Sequence, residues 1–192
     1  MKTTFFYITI TALLLTNVNS TIGRTGYIVP ALKPVTVDTT FKNISDTQFL
    51  IAAYNAGIFK LKASHLAHRT TGDHKVKKFT VMIKTDQEAG NKELLALLLI
   101  KGCTPPAQLP DSLNTKFKVL NELMGNDFNR TYATGNIADS KSELAMYTAV
   151  SMNGKDADIR NFAKHALAQI QMHSDSAQSL LVHINRPNTS GW

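Results

Sequence analysis

The sequence predicts an all-α domain: a four-helix bundle of two antiparallel hairpins, joined by a long crossover that contains a short helix of its own. Three observations carry that prediction. Four segments of about 24 to 30 residues repeat apolar side chains every three or four positions, the spacing of one helix face. Short turn-forming stretches join the first to the second and the third to the fourth, so each pair closes as a hairpin. The longer stretch Cys103 to Asn126 separates the pairs and is enough chain to travel the length of the bundle.

Residues 1–20 read as a secretory signal, with Lys2 as a minimal basic start and the apolar run Phe5 to Leu15 too short to span a bilayer. Val18 and Ser20 are small residues before a cut that leaves Thr21 as the mature start. Residues 21–45 form a threonine-rich, flexible leader with Pro30 and Pro34 and no sustained period. Ser45 with Gln48 three residues later is a capping-box pair. Behind it Phe49, Ala53, Ala56, Lys60, Ala63, Ser64 and Ala67 keep helical spacing, giving a first helix over Asp46 to Arg69. Thr71, Gly72 and Asp73 break and restart the chain. Val76, Phe79, Ile83, Gln87, Gly90, Leu94, Leu97 and Leu98 then mark a second helix, which Gly102 ends and Pro105 and Pro106 keep from continuing.

The connector is turn-rich at first and then offers a helix over Ser112 to Met124, with Asp111 as its cap and Gly125 after its end. The third long helix, Asp127 to Met152, places Phe128, Tyr132, Ile137, Ser140, Leu144, Tyr147 and Ser151 on one face before Asn153 and Gly154 stop it. The fourth follows the three-and-four rhythm most clearly, from Ile159 through Phe162, Ala163, Ala166, Leu167, Ile170, His173, Ala177 and Leu180 to Ile184. Residues 185–192 are a polar tail, so the bundle domain is 46–184. Gly57, Gly90 and Gly135 fall inside helices, where each costs about 1 kcal/mol relative to alanine. They permit close helix approach or mark local bends, in preference to a ligand contact.

With 43% hydrophobic and 18% charged residues in 192, one domain around one core is expected. The run Leu94 to Ile100 is bounded by Lys92, Glu93 and Lys101, too short and too charged at its ends for a membrane helix. Cys103 is the only cysteine, which excludes an internal disulfide and any multi-cysteine metal site; a small residue packed beside the Gly102 helix end is its expected role. The net charge of +7 is spread along the chain, and aromatic residues do not alternate with the basic ones. That favours a solvated basic surface over a nucleic-acid site and leaves weak attraction to anionic surfaces open. No nucleophile elbow, phosphate loop or dinucleotide fingerprint occurs.

Near the middle of each long helix a polar residue interrupts the apolar stripe: Lys60, Gln87, Ser140 and His173. Antiparallel pairing brings these positions towards one layer, where bundles build metal and cofactor sites. A metal-binding reading makes His173 a ligand with Asp86, Asp139 or Glu143 as oxygen donors. Against it, no Glu-x-x-His pair is present, and Lys60 would repel a cation about 4 Å away by several kcal/mol. The alternative is a polar core layer in which Lys60 pairs with a nearby acid and His173 is hydrogen-bonded, fixing helix register. His65 and His68, three apart, with His74 across the turn, offer a weaker surface site for a divalent transition metal. His165 and His183 suggest nothing together.

Several motifs in order resemble a known family. They are Phe49-Leu-Ile-Ala-Ala-Tyr-Asn-Ala-Gly-Ile, Val76-Lys-Lys-Phe79 with Asp86 behind it, Asn126-Asp-Phe-Asn-Arg-Thr-Tyr132, and Ala157-Asp-Ile-Arg-Asn-Phe162-Ala with His173 beyond. Over about Asp46 to Leu181 the chain is similar to domain of unknown function 4142, exported ferritin-like bundles often labelled outer membrane proteins. The resemblance implies a ferritin-like fold, an exported location and, for typical members, a polar interior able to bind metal. It implies an acidic residue where this chain has Lys60, and a histidine where it has Gln87 and again where it has Ser140. Asp86, Asp139 and His173 match the family pattern.

The residues point away from an enzyme and towards an exported bundle in the periplasm or outside the cell, and the resemblance implies a degenerate interior site, a role in envelope interaction or stress, and a place peripheral to the outer membrane. Two alternatives stand beside it. One is a divalent-metal-binding bundle using His173 with the interior acids or the His65, His68, His74 cluster; the other is a basic adaptor for anionic envelope surfaces. No cofactor beyond such a metal is expected.

Overall fold

Polar caps and left-handed glycines decide where the helices begin and end. The computed structural model describes residues 41–186, so the expected signal, most of the leader and most of the tail lie outside the described residues. Within them the order is α1 (Asp46–Thr70), α2 (His74–Ile100), α3 (Asp111–Asn121), α4 (Gly125–Asn153) and α5 (Ala157–Ile184). Ser45 opens α1 with the expected capping box: its hydroxyl accepts from Gln48 N–H at 3.2 Å, and Gln48 Oε1 accepts from Ser45 N–H at 3.0 Å. Ile44 before the cap and Phe49 in the first turn join one apolar cluster, the arrangement of a hydrophobic staple. The end of the expected leader is therefore tied down, with Phe41 also packed on that cluster.

Asp73 caps α2, accepting from Lys75 and Val76 N–H, and Asp156 caps α5 in the same way through Asp158 and Ile159. Gly102, with φ +67°, ends α2 in a Schellman turn: Cys103 N–H donates to Leu98 and Gly102 N–H to Leu99. Both ends of the connector helix and the start of α4 differ from the sequence expectation. The connector helix spans Asp111–Asn121 rather than Ser112–Met124: Asp111 lies inside its first turn behind Pro110, and tighter turns around Glu122 and Leu123 close it early. The extended Met124 and the left-handed Gly125, φ +58°, then start α4 two residues before Asp127.

Contacts at the helix ends give the topology. Asp46 in α1 accepts from Lys155 and Asp156 N–H in the α4–α5 turn, and Lys101 at the end of α2 pairs with Asp156 and Asp158 at 2.8 Å. At the opposite end His183 of α5 meets the α2 cap Asp73 at 2.9 Å. Hence α1 and α5 run one way and α2 and α4 the other. The α1–α2 and α4–α5 hairpins pack most extensively and join through α1 against α4 and α2 against α5. Because α2 and α4 are parallel, the connector carrying α3 must return along the bundle. Two antiparallel hairpins with a crossover are what the sequence pattern predicts.

The core is two apolar clusters rather than one. Phe59, Ile83, Phe128, Tyr132 and Ala177 belong to the cluster at the α1–α2 turn end; Phe49, Leu94, Leu98, Val150 and Ile159 belong to that at the other end. Between them, in all four long helices, lies the polar layer. Among the described residues no helix is long and apolar enough to cross a membrane.

Candidate functional site

The layer is built around two polar pairs that bridge the hairpins. Lys60 of α1, 2% exposed, forms an ion pair with Glu143 of α4, itself 8% exposed. His173 of α5, 1% exposed, meets Asp86 of α2 with 2.7 Å between Nε2 and Oδ2. The first pair holds α1 to α4 and the second α2 to α5. Burial holds the His173 imidazole below its ordinary pKa; Lys60 adds to that shift, while the hydrogen bond to Asp86 opposes it. The ring is therefore neutral at pH 7. An ionised Asp86 can only accept, so Nε2 carries the proton and Nδ1 keeps a lone pair. Nδ1 is buried and without a hydrogen-bond partner among the protein atoms.

The remaining expected residues divide. Ser140 is fully buried and its hydroxyl finds no partner. Gln87 is half-buried, with its Oε1 3.0 Å from where a side-chain carbon on Gly57 would stand. Asp139 does not join the layer's pairs: it turns towards the connector and binds Lys116 of α3, whose ammonium also sits 5.2 Å from the Phe59 ring centre. Thus the acid that neutralises Lys60 is Glu143, while Asp86 and Asp139 are engaged elsewhere.

The close-approach reading of the helical glycines holds at Gly57. At Gly57 a Cβ would meet Asn91 Oδ1 at 2.0 Å, so glycine there permits α1 and α2 to close over the buried Asn91. Gly90 and Gly135 have nothing within 4 Å of such a carbon, so close packing is not their reason. Asn91 was not among the sequence candidates, although its place four residues after Gln87 and three before Leu94 puts it on the α2 stripe and is the signal that could have found it. Tyr132 is a second omission as a polar group: its hydroxyl and the Ser64 hydroxyl lie 2.9 Å apart inside the lower cluster, and burial pushes its pKa up.

His65 and His68 line a cleft of about 270 Å³ between α1 and α2 together with Arg69 and Lys84. His74 does not line that cleft, and His68 Nδ1 is 3.1 Å from the Thr80 hydroxyl. Since Thr80 donates to the Lys77 carbonyl at 2.7 Å, His68 donates to Thr80. Two neighbouring cations and this engaged nitrogen make a poor cradle for a metal ion. Among the described residues no three His, Cys, Asp or Glu side chains gather as a metal-binding group. His183 is the α5 anchor on Asp73, whose carboxyl stays below its usual pKa: burial opposes the shift, and Val76, His183 and Lys75 together overcome it. Cys103 is a half-buried free thiol, 3.8 Å from the Thr47 hydroxyl and packed on the apolar cluster beside Gly102, as expected.

The Lys60–Glu143 pair lies between two clefts. One, about 320 Å³, opens under the connector and reaches Lys60, Asp139 and Glu143; the other, about 340 Å³, opens on the α2–α5 side and reaches Asp86, Glu143 and His173.

The fold has a solved counterpart. The crystal structure of a DUF305 fragment from Deinococcus radiodurans superposes with a TM-score of 0.65 at 12% identity, covering 72% of this chain and 95% of that one. This likeness shows the helical fold, consistent with a ferritin-like bundle. No curated protein matches the chain. The model of the family described as Domain of unknown function (DUF4142) matches residues 32–180, which takes in the polar layer and all five helices up to the last turn of α5. The chain belongs to the DUF4142 family.

Proposed function

We propose that this is a non-enzymatic bundle, exported to the periplasm or beyond, with a role in envelope interaction or stress and an interior layer that serves the fold. The observation that carries this reading is the Lys60–Glu143 pair: where a metal centre needs surplus anionic oxygen, this interior supplies its own cation. The resemblance of the first residues to a secretory signal supports export. Fractionation of cells, with the mature N-terminus read by mass spectrometry, tests the export arm; a full-length chain retained in the cytoplasm would refute it.

A second reading, a divalent transition-metal bundle, is favoured by one observation. A carboxylate that orients a histidine through one nitrogen and leaves the other free is the usual support of a metal ligand, and Asp86 does this for His173. Elemental analysis of protein purified from its native compartment, alongside His173→Ala, separates the readings. Stoichiometric metal lost with His173 would establish the second; its absence in the wild type supports the first.

A further inference from the structure

The cleft between α2 and α5 has a chemical character unlike the rest of the surface. The chain carries 21 Lys and Arg against 14 Asp and Glu, yet no Lys or Arg lines this cleft, while Asp86, Glu93 and Glu143 do. Lys60 pairs with Glu143 from beneath, which leaves Asp86 and Glu93 as the cleft's acids with no Lys or Arg partner among the described residues. The cleft is therefore an anionic recess in a basic protein, and such focusing concentrates cations. Its other walls mix the apolar and aromatic Tyr147, Phe162 and Ile170 with the polar Gln87, His165 and Gln169. Its volume of about 340 Å³ falls in the range that holds a small organic molecule.

One buried polar side chain at the cleft is incompletely used. His173 lines it and leaves Nδ1, a lone-pair acceptor, unpaired. Tyr147 also lines it, with burial and the charge on Glu143 pushing its pKa up. An unpaired acceptor beside carboxylates calls for a ligand that donates an N–H bond and carries positive charge, and apolar and aromatic lining residues call for a hydrocarbon body with it. A bare metal ion answers neither the lining nor the absence of three converging ligand groups among the described residues.

We infer that the α2–α5 cleft binds a small primary ammonium compound with an apolar body, its charged end drawn to the α2 carboxylates Asp86 and Glu93 and its hydrocarbon against Tyr147 and Phe162. Gly90 opens on the same cleft with nothing within 4 Å of a prospective side-chain carbon, so a leucine there would project into the recess. This reading requires no metal and no catalysis, and it can fail while the structural role of the layer survives.

The test is calorimetric titration of the full-length mature protein with 2-phenylethylammonium, and with 2-phenylethanol as the neutral match of the same shape. The expected result is saturable binding of the ammonium compound and binding of the alcohol weaker by about tenfold or more. Gly90→Leu should abolish binding with an unchanged helical circular dichroism spectrum, and Glu93→Gln, at an exposed acid, should weaken it several-fold. Equal affinity for the alcohol, undiminished binding by folded Gly90→Leu, or no heat from the ammonium compound at millimolar concentration would each overturn the assignment.

Discussion

Replacing Lys60 by methionine keeps the length of the side chain and removes its charge, which leaves Glu143 in the layer without its cation. Both groups are nine-tenths buried, and breaking a buried pair from one side costs about 3–5 kcal/mol, because the surviving charge keeps its desolvation penalty. Glu143 borders two clefts, so some hydration reaches it and the lower end, about 3 kcal/mol, is expected. Exchanging both partners, Lys60→Met with Glu143→Met, removes the penalty with the charge, and such swaps leave stability unchanged or raise it by about 1–4 kcal/mol. Urea denaturation of the four proteins at pH 7 completes the double-mutant cycle. The expected coupling is at least about 2 kcal/mol, with each single variant less stable than the double. Costs that simply add, or a Lys60→Met penalty under about 1 kcal/mol, would refute the claim that this pair neutralises the interior.

Three further outcomes follow from the same geometry. His173 is held neutral, its folded pKa below the ordinary 6.5, so the unfolded chain binds the extra proton first. Its stability contribution is complete above about pH 6.5 and falls as pH drops below that, with a slope of at most about 1.4 kcal/mol per pH unit; His173→Gln should remove that component from the pH dependence of urea unfolding. Gly57→Ala must displace the buried Asn91, so strain of about 1–3 kcal/mol outweighs the gain in helix propensity. Gly90→Ala and Gly135→Ala meet open space and should stabilise by about 1 kcal/mol, so a thermal melt ranking Gly57→Ala above them would contradict the packing described. Asp73→Ala removes the α2 cap and the anchor of His183 together, with an expected loss of about 1–2 kcal/mol in chemical denaturation at pH 7.

What the sequence discloses here is periodic, and what it withholds depends on register between helices. Ser45 with Gln48, the break at Thr71 to Asp73 and the stop at Gly102 are local signals, and each helix end they mark is where the chain turns. The layer itself is legible because Lys60, Ser140 and His173 sit on stripes whose other members are apolar, and all three are buried. Partner choice is different in kind. Asp139 and Glu143 are one helical turn apart on α4, so a slide of about 5 Å between α1 and α4 would exchange them opposite Lys60. Only the packed structure fixes that slide, and it selects Glu143, leaving Asp139 for Lys116. Gly57 and Asn91 show the same limit: a glycine inside a helix signals closeness or openness equally, and the neighbour on another helix decides.

The return of the connector along the bundle separates covalent continuity from architecture. Each hairpin carries part of both apolar clusters and one member of each bridging pair, so the two halves are complementary surfaces before they are one chain. A cut between the exposed Ala107 and Gln108 leaves α3 with the second hairpin and removes no interior side chain. The peptide bond there supplies mainly proximity, an effective concentration on the order of millimolar. Two fragments mixed above their dissociation constant should therefore rebuild the bundle, making the chain a split scaffold whose reassembly reports on whatever the halves are attached to.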